Sequence, residues 1–355
     1  MMDVLVIGGT GFIGPPIVNE LSRRGHTVTV YHRGQREVEH AASVIHVHGD
    51  RRDYPRFRAD LIRLAPEAVV DDIPMNTADA RSVIEALRGR LVRSVHISSG
   101  DVYAPHQPIP IPEDAPTNPP EAVELQVHGQ KVPYSKVAVE AVIREAGAAG
   151  DYPAVILRLP AVYGPANPLA REWFFVRRVL DGRRRIAVPD GGLGLFHRGY
   201  VDDIARAVAL ALESPRGVGR TYNVGHERVL TVWGIADLVA QVMGHQWEIV
   251  PVPAGSLPPT NPYAAPYPIV YDLDRIRTEL GFRESVSLEE GMRRTAAWLA
   301  EHPPSPETWP LARYLTHDPF DYAAEDEAIE AGQGVWGETE EPATDRGGQD
   351  KEPMR

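Results

Sequence analysis

DVLVIGGTGFIG, residues 3–14, is the stretch on which the fold of this 355-residue chain turns. Asp3 to Ile7 is a short apolar run, the composition of a buried strand, and glycine follows at 8, 9, 11 and 14. Gly9, Gly11 and Gly14 satisfy G-x-G-x-x-G, and Gly8, Gly11 and Gly14 the wider G-x-x-G-x-x-G. Glycine at these positions permits a tight turn, lets backbone N–H groups approach a pyrophosphate, and allows a helix to pack closely on the strand. The following helix would present unpaired N–H groups and the positive end of its dipole to phosphates. Pro15 and Pro16 fall in its first turn, where a missing N–H costs little. The backbone from Gly8 through Thr10, Gly11, Phe12 and Ile13 to Gly14 is therefore expected to hold a dinucleotide.

Working outward, short apolar runs alternate with amphipathic stretches up to about residue 160. HTVTVYHR, SVIHVHGD, AVVDDI, RSVHISS and PAVILRLP read as strands, separated by helical patterns such as PRFRADLIRLA and TADARSVIEALRG. Continuous apolar strands between helices imply an α/β fold with a doubly wound parallel sheet. A polar, proline-rich connection follows RSVHISS, and a helix is expected from Tyr134. The alternation loosens beyond Val162, where EWFFVRRVLDG, VDDIARAVALALES, TVWGIADLVAQVMG and SLEEGMRRTAAWLAEH read as helices. PVPAGSLPPTNPYAAPYP (251–268) has too many prolines for regular structure and reads as a lid-like loop. The expected division is a dinucleotide-binding domain over 1–165, a smaller C-terminal substrate lobe over 166–318 whose elements interleave with the first, and an acidic tail over 319–355.

Of the net charge of −12, the segment from Asp321 onward carries 11 acidic residues against 3 basic ones. With few apolar residues and no sustained period, it is expected to be solvated and disordered. The mildly acidic body disfavours a nucleic-acid partner. The chain has no cysteine, which excludes disulfides, thiolate metal sites and a cysteine nucleophile. His46 and His48 alternate on a predicted strand without an obvious third ligand, so no metal site is expected. No membrane-length apolar run or signal-type leader is present, which predicts a cytoplasmic protein with no membrane partner.

The second strand should end at the residue that tests the adenosine ribose. An acid there binds the 2′-hydroxyl of NAD, whereas a base accommodates the 2′-phosphate of NADP. Here the strand runs Tyr31-His32-Arg33-Gly34, and Arg33 favours NADP, with NAD the alternative. Asp50 and Arg51, after the third strand, stand where a loop covers the adenine.

GGTGFIG, ISSGDVY (97–103), RLPAVYGP (158–165), YVDDIARAV (200–208) and YNVG (222–225) occur in this order. Together they resemble the extended short-chain dehydrogenase/reductases, the NAD-dependent epimerase/dehydratase family, over residues 3 to about 300. The resemblance implies a Rossmann-type fold, an NAD(P) cofactor, and a sugar-nucleotide or small carbonyl substrate. It also implies a tyrosine acid/base, a lysine four residues later that lowers the phenol's pKa and holds the nicotinamide ribose, and a serine on the preceding strand. Ser99 and Lys136 match that serine and lysine, and Pro160 lies in a matched motif expected beside the cofactor. Asp101 falls where the sugar dehydratases place a carboxylic acid, but the acid that usually precedes it is here Gly100. Four residues before Lys136 stands Val132; the tyrosine is Tyr134, two positions away and about 200° around a regular helix. Pro133 disfavours helix just before it, which leaves Tyr134 two placements: in a turn facing the cofactor or in the helix facing away. Arg198 stands five residues before Asp203, where the sugar-nucleotide enzymes carry a pyrophosphate-binding arginine at seven; the two positions share a strand face. Glu172 to Gly192 also resembles the chloroplast stem-loop RNA-binding relatives, which lack the tyrosine; Arg183 to Arg185 within it reads as a solvated basic turn. An oxidoreductase built on Ser99, Tyr134 and Lys136, a cofactor-binding scaffold and an RNA-associated protein are the three readings that stand, and a homodimer is expected only by fold analogy.

Overall fold

The computed structural model describes residues 1–40, 43–127, 130–253, 263, 268–305, 309 and 318–332. In chain order its main elements are β1 (Asp3–Ile7), α1 (Gly14–Arg23), β2 (Thr27–His32), β3 (Ile45–His48), α2 (Tyr54–Leu64), β4 (Ala68–Asp71), α3 (Thr77–Leu87) and β5 (Arg93–Ser99). Then come β6 (Val123–Val127), β7 (Gln130–Tyr134), α4 (Lys136–Ala148), β8 (Ala154–Leu159), β9 (Ala161–Tyr163), α5 (Trp173–Leu180), β10 (Arg185–Pro189), β11 (Leu195–Phe196) and β12 (Arg198–Tyr200). The chain continues through α6 (Val201–Glu213), β13 (Thr221–Asn223), β14 (Leu230–Thr231), α7 (Val232–Val242), β15 (Glu248–Val252), α8 (Asp274–Glu279), α9 (Leu288–Glu301) and α10 (Tyr322–Gly332).

Seven parallel strands form the central sheet in the order β13-β8-β5-β4-β1-β2-β3. Period two in β1 sends Val4 and Val6 to one face, where they pack on Ile17, Val18 and Leu21 of α1 and on Ile204 and Val208 of α6. Leu5 and Ile7 face the other side with Phe57 and Leu61 of α2 and Val83 and Leu87 of α3. Both faces are thus covered, which explains why these strands read as continuous apolar runs. The chain fills one half of the sheet with β1 to β3 and then returns to place β4 on the other side of β1. That reversal opens a crevice at the C-terminal ends of β1 and β4, the place where such sheets bind ligands.

A second core lies in the C-terminal lobe, where Trp173, Phe174, Phe175, Ile235, Val239, Met292 and Leu299 join α5, α7 and α9. The lobe is interleaved with the sheet, because α6 and β13 belong to the first layer system.

Three expectations are corrected. The helix expected from Tyr134 starts at Lys136, with Ser135 as its N-cap, and Tyr134 instead ends β7 of a β6–β7 hairpin inside the supposed connection. Pro133 is tolerated because the hairpin is an isolated two-stranded ribbon in which it sits opposite Glu124. The acidic tail is helical over Tyr322–Gly332: Ile329 is buried with Ala187, Val250 and Val252, and Glu325 pairs with the buried Arg178. Arg183 and Arg185, read as a solvated turn, are held by Asp326 at 3.0 Å and Glu248 at 3.1 Å. Of the proline-rich loop, Pro251 and Val252 belong to β15, and residues 254–262 and 264–267 lie outside the described set, as does the tail beyond 332.

Candidate active site and cofactor crevice

The glycine turn caps β1 as its spacing predicts. Gly8 adopts φ +99°, a left-handed conformation that favours glycine, and Gly11 N–H donates to the Gly8 carbonyl at 3.3 Å. A Cβ on Gly14 would stand 2.6 Å from both the Gly8 carbonyl oxygen and Gly9 Cα, so only glycine lets α1 start this close to the strand. Beside the turn is a cavity of about 440 Å³ lined by Gly8, Thr10, Gly11, Arg33, Asp50 and Ile73 among others. Arg36 and Arg52 line it too, and sequence reasoning missed both; a second arginine three residues after Arg33 was the available signal. Its shape and basic wall fit the adenosine half of a dinucleotide. Phe12 and Ile13 are half-buried against the second core, and Pro160 is buried beneath Gly199. Arg51 lines the cavity but is buried and committed, donating to Asp71 at 2.6 Å and to the Asp79 carbonyl at 3.1 Å. Its role is to tie the crevice floor together.

Further along the strand ends, β5 delivers Ser99, whose hydroxyl accepts from Asp101 N–H at 3.2 Å and so caps a short 3₁₀ turn. From the hairpin, Tyr134 turns back towards Ser99, near enough for the serine hydroxyl to act on the phenol. Burial pushes the Tyr134 phenol up to about 12, the Asp101 carboxylate adds to the rise, and the Ser99 contact opposes it. The Tyr134 phenol is thus a proton donor at neutral pH rather than a phenolate.

Lys136 is buried and donates to the carbonyls of Pro74 at 2.9 Å and Ile97 at 2.8 Å, which leaves one of its three N–H groups. Burial lowers its pKa to about 8, against the opposing pull of Asp71 and Asp72. The charges that set the Tyr134 pKa do not include Lys136. Ser99, Tyr134 and Lys136 therefore gather at one edge, but the tyrosine meets the serine and the lysine faces the floor.

Gly100, which replaces the usual acid, has a physical cause. A Cβ there would stand 1.9 Å from the Tyr271 hydroxyl. Tyr271 comes from beyond the proline-rich loop and, with Gly100, Asp101 and Gln107, walls a cavity of about 130 Å³. Nothing in local spacing announces a residue so distant in sequence.

Arg198, expected at the substrate, is instead turned into the lobe. It ion-pairs with the buried Glu172 and donates to the Ala161 carbonyl at 3.0 Å and the Tyr263 hydroxyl at 3.4 Å. A guanidinium this buried needs such partners. Arg171, which sequence reasoning passed over, lies over the Phe196 ring at 5.7 Å.

Fold and site together define a dinucleotide-binding protein with a hydroxyl-bearing edge beside the crevice. The chain belongs to the NAD dependent epimerase/dehydratase family, which matches it over residues 4–225. It is 30% identical to a UDP-glucose 4-epimerase of Azospirillum brasilense, across 82% of this chain and 90% of that protein. It is 26% identical to the chloroplast stem-loop binding protein of 41 kDa b of Arabidopsis thaliana, across 68% of this chain and 63% of that protein's length. Among solved structures, the dTDP-glucose 4,6-dehydratase of Bacillus anthracis in complex with NAD shares the fold, with TM-score 0.68 and 17% identity over 88% of this chain and all of that one. The chain is thus an enzyme of the epimerase/dehydratase type. Among the described residues no helix is long and apolar enough to cross a membrane.

Proposed function

We propose that this enzyme uses NADP to reduce a carbonyl carbon of a sugar-nucleotide or similar hydroxylated substrate, with Tyr134 as the acid. The observation that carries the reading is that the end of β7 and the head of α4 bring Tyr134 and Lys136 to the Ser99 end of β5, beside the glycine crevice. The nicotinamide supplies the hydride when bound. Ser99 orients the carbonyl oxygen, and Tyr134 gives that oxygen a proton as the alcohol forms. A phenol held up to about 12 carries its proton at neutral pH, though it is a weaker acid than a free phenol. Burial, helped by the Asp101 carboxylate, keeps the phenol protonated. Lys136, with one N–H left over, would hold a ribose hydroxyl, and the turn from Gly8 to Gly14 the pyrophosphate. Arg33, Arg36 and Arg52 support the 2′-phosphate of NADP, since guanidinium forks match phosphate and the end of β2 carries no acid. The names of the relatives support a sugar-nucleotide substrate.

The test is Tyr134→Phe, assayed with NADPH and NADH on keto-sugar nucleotides. Turnover should fall by about 10²–10⁴-fold while the melting-temperature rise with NADPH persists. Surviving activity would remove Tyr134 from the chemistry. A larger melting shift with NADH than with NADPH would overturn the 2′-phosphate reading.

A further inference from the structure

The β2–β3 edge of the sheet carries an imidazole cluster that the proposed reaction does not use. His32 ends β2 and lies in register with His48 on β3, while His46 pairs with Val30 two residues earlier. Side chains alternate along a strand, so His46 and His48 share a face and His32 joins them across the pair. The rings meet accordingly: the His32 centroid is 5.1 Å from that of His46 and 4.7 Å from that of His48, steeply inclined to both. His32 Nε2 and His46 Nδ1 are 3.0 Å apart.

The connection between the strands supplies an acid. Ligand-capable atoms of His32, Glu37 and His46 lie within 4.8 Å of one another, and Glu37 Oε1 is 3.3 Å from His48 Nε2. His40, from the same connection, stacks on His46 with centroids 5.4 Å apart. Sequence spacing showed only the His46/His48 alternation and no third ligand. The fold supplies two, one from the neighbouring strand and one from the connection.

We propose that His32, Glu37 and His46 bind a divalent transition-metal ion of the zinc class whose fourth position takes water, while His48 holds the Glu37 carboxylate in place. Tetrahedral zinc, with Zn–N bonds of about 2.0–2.1 Å, separates two ligand nitrogens by about 3.3 Å. The His32–His46 pair needs to open by only a few tenths of an ångström to accept it. Two imidazoles and one carboxylate suit zinc, cobalt or nickel, whereas magnesium and calcium prefer all-oxygen sets. The ligands must be neutral imidazoles. The cost of binding is local: His32 Nδ1 accepts the Gly34 amide at 3.3 Å, and that long contact gives way when the proton moves to Nδ1. An ion here would tie the end of β2, the connection and the edge strand into one unit. His32 also lines the cavity assigned to the adenosine half, so an ion here would stand beside the bound cofactor, but its binding needs no part of the proposed reaction.

The test is a titration of the chelator-treated full-length chain with Co²⁺ alone and with Zn²⁺ alone, by absorption and calorimetry. One ion per chain is expected, with the visible bands of a four-coordinate cobalt site and a rise in melting temperature with zinc. Glu37→Gln and His48→Ala are the informative variants, because these side chains are 62% and 58% exposed and their loss leaves the fold intact. Each should weaken binding by about tenfold or more, and His46→Ala should do the same. Binding weaker than about 100 μM, or binding unchanged in the three variants, would overturn the proposal.

Discussion

Asp72 and Lys136 sit where burial and charge oppose each other most directly. Burial raises the Asp72 carboxyl to about 7, with Asp71 adding to the rise and Lys136 and Arg51 resisting it. Between its ordinary value near 4 and 7, the folded state keeps a proton that the unfolded chain has released. Stability therefore falls as pH rises through that window, and the full penalty remains above it. Asp72→Asn should stabilise the protein at pH 8 by on the order of 1–2 kcal/mol, after allowing for solvent at this half-buried position. The gain should vanish near pH 4, as paired thermal melts would read. An equal gain at both pH values would mean that the carboxylate is not the cause. Lys136 was legible at this scale, since it heads a helix whose Glu140 is likewise in place, buried against Arg158 at 2.8 Å. The direction of Tyr134 was not, because two residues of spacing mean something different on a strand than on a helix.

At the scale of elements, the junction of β7 and α4 decides how tyrosine and lysine are presented. Ser135 makes the junction sharp: its hydroxyl accepts from Ala138 N–H at 3.2 Å and donates to the Pro120 carbonyl at 2.8 Å, and its own N–H donates to Met75. Ser135→Ala should cost about 1 kcal/mol, the usual worth of an N-cap. If Tyr134 is the proposed acid, it should also lower kcat more than it raises the dissociation constant of the nicotinamide cofactor, because it loosens Tyr134 while Lys136 keeps its two carbonyls. An equal change in both would place the cap's effect on the whole site. The sheet strands were readable because two-sided burial leaves an unbroken apolar signature. The hairpin was not, because it is a small ribbon lying outside the sheet, with Val123 and Lys131 exposed.

At the scale of the molecule, the doubly wound sheet follows from apolar runs and the glycine turn, whereas the closure of the lobe depends on pairings between distant charges. Arg178 is buried, lies over the Phe174 ring at 3.9 Å, and is neutralised by Glu325. In sequence the two sides of this clasp look like separate solvated charge runs, so neither is legible without the other. Ending the chain after Phe320 removes α10, strands Arg178, and uncovers Ala187 and Val252. That truncation should destabilise the lobe by about 3–5 kcal/mol, as expected for a buried charge left without its partner. Ending it after Gly332 should leave the melting temperature unchanged within a degree or two. If both truncations melt alike, the clasp contributes nothing. The same clasp also orders events during synthesis. A growing chain exposes Arg178 and the flank of β10 well before the ribosome reaches Glu325 and Ile329, so the lobe waits, incomplete and sticky, for a helix that is made more than a hundred residues later.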